Sequence, residues 1–176
     1  MLRHIVAMII LLATSLDLIT SAPADLTPAG SRRPLPEVAL RDSNGASVDL
    51  SAYKGRVVLL DFWATWCEGC KEEIPWFMEF QNKYKETGLT VVGASLDDDG
   101  WKSVRPYLRE HKINYRIVMG TLESAKQFGV DKGMPVTLLI DRNGKIADVH
   151  PGMVGKAAFE REIQTLLNET SSKTAS

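Results

Sequence analysis

Cysteine and histidine are scarce in this sequence of 176 residues. Cys67 and Cys70 are its two cysteines, and histidine occurs three times. A scaffold held together by several disulfides is therefore excluded, and any thiol chemistry must be confined to one pair. Beyond the N-terminal segment the histidines are His111 and His150. Because neither stands at ligand spacing from the cysteines, a four-ligand zinc site is disfavoured.

The sequence also lacks an excess of charge and a long apolar segment. Its 21 Lys and Arg residues balance 22 Asp and Glu residues, which gives no electrostatic reason to expect binding to nucleic acid or to an anionic membrane. The apolar run at residues 5–12 is followed by Asp17, well short of the ~20 residues that a spanning helix needs. This run follows the basic Arg3 and precedes small residues at 22–24. Residues 1–24 are therefore predicted to be a signal peptide, with an uncleaved membrane anchor as the alternative.

The rest of the chain has the composition of one globular domain. Residues 25–36 are rich in Pro, Gly, Ser and Arg and are predicted to be a flexible linker. Residues 37–168 show apolar periodicity and are predicted to fold as one domain, and a disordered tail is expected over residues 169–176. Export of this domain would place the cysteine pair in an oxidising compartment.

The periodicity within this domain alternates between strands and helices. Residues 57–60 form a continuous aliphatic run, typical of a strand that is covered on both faces. Asn-Gly pairs at 44–45 and 143–144 predict two β-hairpins. The fold class is therefore α/β, with a mixed central sheet, helices on both faces and an added N-terminal hairpin. The remaining strands are expected near residues 90–95, 115–119, 136–141 and 145–149.

Cys67 and Cys70 are separated by two residues at a predicted strand-to-helix junction. Besides zinc binding, they could form a structural disulfide or a redox pair. A structural role is disfavoured because closing so short a loop constrains the unfolded chain by only about 2 kcal/mol. The start of a helix stabilises a thiolate. Cys67 is therefore predicted to be the nucleophile, and Cys70 is predicted to be the resolving thiol.

Three acidic residues surround this pair. Asp61 ends the apolar strand, where burial would raise its pKa and suit a proton acceptor for Cys70. The alternative is an acid satisfied by backbone and water. Glu73 lies on the helical face of Cys70, and its alternative is a solvated first-turn acid. Glu68, between the cysteines, is expected to raise the pKa of Cys67 and so to favour a reductant over an oxidant.

Met134 and Pro135 precede the predicted strand at residues 136–141. A proline within a sheet is confined to a first or edge position, and an ordinary trans bond is the simplest interpretation. A cis bond would instead leave the Met134 backbone free to pair with an extended substrate.

Residues 61–70, taken together with Gly133-Met134-Pro135, resemble the thioredoxin superfamily. The signal peptide, the hairpin at residues 44–45 and the runs at residues 63–67 and 70–75 are similar to those of the exported thiol–disulfide oxidoreductases of the ResA/TlpA group. The resemblance implies a thioredoxin-like fold, an attacking Cys67, a resolving Cys70 and a cis Pro135. It also implies active-site roles for acids at the positions of Asp61 and Glu73. Gly69 departs from the family, because most relatives have proline there.

The resemblance further implies a periplasmic or otherwise extracytoplasmic enzyme that reduces disulfides of exported proteins. Apocytochrome c is the client that the family suggests, a membrane thiol–disulfide donor would recycle the enzyme, and no cofactor is required. Trp66, Met134 and Pro135 are expected to form the substrate-binding surface. A redoxin-type thiol peroxidase, with Thr65 beside Cys67, is one alternative function. A non-catalytic binding module is the other.

Overall fold

The computed structural model describes residues 26–131 and 133–169. The predicted signal peptide and all but the first residue of the predicted tail lie outside these ranges. Eight strands occur in the described part: β1 (Arg33–Pro34), β2 (Leu40–Arg41), β3 (Ser47–Val48), β4 (Val57–Trp63), β5 (Leu89–Ser95), β6 (Arg116–Met119), β7 (Val136–Ile140) and β8 (Lys145–Pro151). The α-helices are α1 (Glu68–Tyr84), α2 (Trp101–His111), α3 (Leu122–Gln127) and α4 (Lys156–Asn168).

The strands form one mixed sheet in the order β1-β8-β7-β4-β5-β6-β2-β3. Strand β4 lies near its centre, parallel to β5 and antiparallel to β7. The α/β class and the mixed sheet are as predicted. The hairpin of β2 and β3 extends the sheet beyond β6 through a pairing of Arg41 with Met119. Among the described residues, no helix is both long enough and apolar enough to cross a membrane.

Strand β4 is buried along its whole length, as its continuous apolar run predicts. Because side chains alternate across a strand, Leu59 and Trp63 face a core that they share with α1, α2 and α4. Leu60 and Phe62 face a second core on the other side, to which the end of α3 contributes. Asp61 therefore occupies a position on the first face that its neighbours fill with apolar side chains.

Helix α1 follows β4 directly and carries the dithiol at its N-terminus. Ile74, Phe77 and Phe80 form its apolar buried face, with the spacing that an amphipathic helix requires. Pro75 lies inside the helix, about two turns beyond its start. The same buried face includes Glu73, so this helix directs a carboxyl group into the core beneath its first turn.

The segment before β2 differs from the flexible linker predicted over residues 25–36. A short 3-10 turn leads into β1, whose Arg33 and Pro34 pair with β8. Arg32 is buried, and its guanidinium lies 3.0 Å from Asp141 and 2.6 Å from Glu169. Two carboxylates thus compensate the buried charge and attach this segment to the domain.

Candidate active site

Cys67 and Cys70 form a disulfide at the start of α1, with Cα atoms 5.3 Å apart. Cys67 is the N-cap residue of the helix, and its Sγ accepts a hydrogen bond from the backbone N–H of Cys70 at 3.2 Å. Cys67 is 6% exposed and Cys70 is 0% exposed. Cys67 is thus the more accessible sulfur and the one that faces the unpaired N–H groups of the helix terminus.

Asp61 and Glu73 are both fully buried beneath this turn. Within residues 26–131 and 133–169, no hydrogen bond of good geometry satisfies either carboxyl group, although the Val154 backbone lies near that of Glu73. Burial, with a contribution from the charge of Glu73, raises the pKa of Asp61 well above its usual value. Burial also raises the pKa of Glu73 to about 7, against the opposing effects of the Val154 backbone and the charge of His150. Both groups can therefore carry a proton near neutral pH.

Further polar atoms lie buried and unpartnered in the described core: Trp63 Nε1, the Tyr115 hydroxyl and the Thr137 hydroxyl. Thr137 is the cross-strand partner of Asp61 on β7, and Gly93 is its partner on β5. A Cβ atom at Gly93 would lie 3.0 Å from Trp63 Nε1, so glycine leaves room for the side chains around Asp61. We did not anticipate Thr137 and Tyr115, because cross-strand register cannot be read from local periodicity.

Asp148, His150 and Glu162, here called the His150 cluster, each offer one ligand atom within 4.8 Å of the others. Nε2 of His150 lies 2.7 Å from a Glu162 oxygen and 3.4 Å from an Asp148 oxygen. Two ligands of one tetrahedral zinc ion would lie about 3.4 Å apart, so the contact with Glu162 is a direct hydrogen bond. We assign the His150 cluster as an ion-pair group.

The charge of His150 depends on competing effects. Burial lowers its pKa, but the hydrogen bond to Glu162 and the charges of Glu162, Asp148 and Glu73 outweigh burial and raise it. The imidazolium form is thus favoured at a higher pH than in a free histidine. Since the same charge lowers the pKa of Glu73, His150 is electrostatically coupled to the buried acid under the dithiol.

Exposed apolar side chains lie beside the disulfide. The Met134–Pro135 peptide bond is cis, as the resemblance implied. Trp66 is 62% exposed and Met153 is 44% exposed. A Cβ atom at Gly69 would lie 3.0 Å from Met153 Sδ and 3.2 Å from Pro135 Cδ. The glycine that departs from the family pattern therefore makes room for Met153, a residue that no sequence motif had indicated.

Two further residues of the predicted site have partners of their own. Glu68 points to solvent, and its carboxylate lies 2.6 Å from Lys71 Nζ, which partly compensates its charge. The Thr65 hydroxyl donates to Asp97 at 2.6 Å, and the Thr65 backbone N–H also faces that carboxylate. Thr65 is thus engaged with Asp97, which weakens the case for a peroxidatic threonine beside Cys67.

Comparisons with known proteins identify the family of this chain. The Redoxin family profile matches residues 28–166. The chain is similar to the thiol-disulfide oxidoreductase ResA of Geobacillus kaustophilus, with 26% identity over 165 residues that span 94% of each chain. It is 31% identical to ResA of Bacillus subtilis over 117 residues, 66% of this chain and 65% of the relative.

A solved structure of a thiol:disulfide interchange protein is also similar to this chain. A Chlorobium tepidum protein, provisionally called thiol:disulfide interchange protein DsbE, aligns with a TM-score of 0.72 and 36% identity, covering 78% of this chain and 97% of that one. The predicted thioredoxin-like fold is thereby confirmed. The chain belongs to the Redoxin family within the thioredoxin superfamily, and it is a thiol–disulfide oxidoreductase of the ResA/TlpA group.

Proposed function

We propose that this protein is an extracytoplasmic reductase of disulfides in exported proteins. The observation that carries the proposal is the arrangement at the start of α1. Cys67 is the more accessible sulfur at the helix terminus, Cys70 is wholly buried, and a carboxyl group with a pKa of about 7 lies beneath the turn. This is the arrangement that an attacking thiolate, a resolving thiol and a proton acceptor require.

The reaction begins with attack of the Cys67 thiolate on a client disulfide. A mixed disulfide forms between Cys67 and the client, and the first client sulfur leaves and takes up a proton. Cys70 then transfers its proton to Asp61 or Glu73 and attacks Cys67. The Cys67–Cys70 disulfide forms and the second client thiol is released, so two electrons have passed from the enzyme to the client.

The client docks on the surface beside the cis proline. The backbone of Met134 next to cis Pro135 can pair with an extended client segment, and Trp66 with Met153 supplies apolar contact area on the rim. Large exposed apolar side chains that cluster on a polar surface are characteristic of interaction sites.

The direction of electron flow follows from the charges around the dithiol. A strong oxidant stabilises its reduced, thiolate form. Here the buried carboxyl groups of Asp61 and Glu73 disfavour a negative charge on the buried sulfur of Cys70. Glu68 adds to this effect only weakly, because Lys71 lies 2.6 Å from it. Both effects favour the disulfide form and hence a reducing potential.

The predicted signal peptide at residues 1–24 supports a location outside the cytoplasm. In such an oxidising compartment the disulfide persists, so a membrane thiol–disulfide donor must return the pair to the dithiol. The resemblance to the ResA/TlpA group supports the haem-site cysteines of apocytochrome c as the client.

Client reduction tests this proposal directly. The reduced protein is mixed with a peptide that carries a disulfide between two cysteines two residues apart, and thiol release is followed with time. We expect a Cys70→Ser variant to accumulate a mixed disulfide through Cys67, whereas a Cys67→Ser variant should form none. Rapid turnover of hydrogen peroxide with slow peptide reduction would instead support the thiol peroxidase. Full biological activity of Cys67→Ala would support the non-catalytic binding module.

A further inference from the structure

Three polar side chains stand in one row across the sheet. In the strand register, Asp61 on β4 is paired with Thr137 on β7, and Thr137 is paired with His150 on β8. Directly opposed residues point to the same face, with Cβ atoms about 4.5–5.5 Å apart. The row therefore leads from the core beneath the dithiol towards the His150 cluster.

The two ends of this row have different surroundings. Asp61 is 0% exposed and Thr137 is 1% exposed, and their side-chain oxygens have no partner within the described part of the chain. The His150 side chain is 12% exposed and is bonded to Glu162. Because a buried polar group without a partner is costly, Asp61 and Thr137 form the unsatisfied inner end of the row.

We propose that Thr137 and His150 form the path by which protons pass between the buried acids and the protein surface. This inference rests on the proposed role of Asp61 and Glu73 as proton acceptors. The charged groups that face the imidazole are Glu162 from α4, Asp148 from its own strand and Glu73 from α1, and the ring of Phe159 contacts it edge-on.

The path completes the proton balance of the exchange reaction. After Cys70 has given its proton to a buried carboxylate, the path can carry that proton to the surface, and when the pair is reduced again it can supply the proton that the Cys70 thiolate takes up. The Thr137 hydroxyl can accept a hydrogen bond from one side while it donates to the other. His150 then releases one ring proton to Glu162 or to solvent and takes up the next, so no net charge remains in the core.

A His150→Gln variant tests the proposal, because it removes the titrating ring and keeps a hydrogen-bonding side chain. The protein is turned over on the disulfide peptide in the presence of a thiol reductant that recycles it, and the steady-state rate above the protein-free background is measured across pH with a buffer of low concentration. Without the nearby cation, the midpoint of the pH–rate profile should rise by up to about 1 unit. The rate near neutral pH should fall by at least threefold, and added imidazole should restore it.

His111→Gln is the matched control. His111 is exposed on α2, where its ring stacks on Tyr107, so its profile should equal that of the wild type. A Thr137→Val variant, of similar shape but without the hydroxyl, should also lower the rate, without rescue by imidazole. Loss of the imidazolium leaves Glu162 buried without its partner. If the His150→Gln variant therefore does not fold, the double variant His150→Gln/Glu162→Gln takes its place. Added imidazole should restore its rate in the same way.

The possible results separate this inference from the function on which it rests. If Glu73→Gln alters the pH–rate profile while His150→Gln and Thr137→Val match the wild type, the path is wrong and the role of Glu73 stands. If neither Glu73→Gln nor Asp61→Asn changes the profile, the proposed proton acceptors themselves are wrong. Loss of rate in His150→Gln without a shift of the midpoint and without imidazole rescue would also overturn the inference.

Discussion

Replacement of Glu73 by glutamine is expected to stabilise the protein in a pH-dependent way. Burial raises the pKa of this carboxyl group from 4.5 to about 7, so the folded protein retains the proton to a higher pH than the unfolded chain does. The wild type should therefore lose stability as the pH rises from about 4.5 to about 7. Glutamine keeps the size of the side chain and removes this titration.

The size of this stability change follows from the pKa shift of Glu73. At about 1.4 kcal/mol for each pH unit, the raised pKa corresponds to about 3 kcal/mol of stability that the wild type has lost above pH 7. The gain of Glu73→Gln over the wild type should thus be about 3 kcal/mol larger near pH 8.5 than near pH 4.5. The pH-independent part of the substitution cancels in this comparison.

Urea unfolding of the oxidised proteins at the two pH values provides the assay, with equal slopes as a check that the denatured states are comparable. Glu72→Gln is the matched control, because Glu72 is exposed on the same helix and its replacement should change stability by less than about 0.5 kcal/mol at either pH. Parallel pH dependence of the wild type and Glu73→Gln would refute the reasoning, since it would mean that Glu73 ionises in the folded protein without cost.

Three further substitutions test other parts of the structure. Gly69→Ala should cost about 1 kcal/mol, because the new Cβ atom meets Met153 at 3.0 Å and Pro135 at 3.2 Å. Met153→Ala should reduce that cost in a double-mutant cycle followed by urea unfolding, and additive costs would contradict the contact with Met153. Arg32→Met should lower the free energy of unfolding by about 3 kcal/mol, because it leaves the buried Asp141 carboxylate without its cation. A loss below about 1 kcal/mol would show that Arg32 does not anchor the segment before β2 to the domain. Glu68→Gln should move the reduction potential of the cysteine pair by less than about 20 mV, because the exposed ion pair of Glu68 with Lys71 contributes little electrostatic energy. A larger change would make Glu68 a principal determinant of the potential.

Local patterns were sufficient to predict the centre of this molecule. A continuous apolar run predicts β4, a change to helical spacing predicts α1, and the cysteine pair lies at the junction between them. Each of these features depends on residues that are near one another in the chain, so periodicity and spacing are informative about them. For Pro135, just before β7, the local pattern favoured an ordinary trans bond, and the cis bond that the structure contains was implied by the family resemblance.

Features that depend on distant residues could not be predicted in this way. Arg32 lies in a segment with the composition of a linker, yet its partner Asp141 is 109 positions away in the chain. The neighbours of Asp61 depend on strand register, so Thr137 was indistinguishable from any other threonine in an apolar strand. Met153 approaches Gly69 only because the loop after β8 returns to the dithiol. In each case the contact is formed by tertiary packing and not by local preference.

The reduction potential of the Cys67–Cys70 pair tests the central claim most directly. The protein is equilibrated with reduced and oxidised glutathione at known ratios, free thiols are trapped by alkylation, and the dithiol fraction is measured by mass. A reductase with buried acids beneath its dithiol should have a potential below about −180 mV. A value well above that, towards the roughly −120 mV of the strong oxidants, would contradict the account.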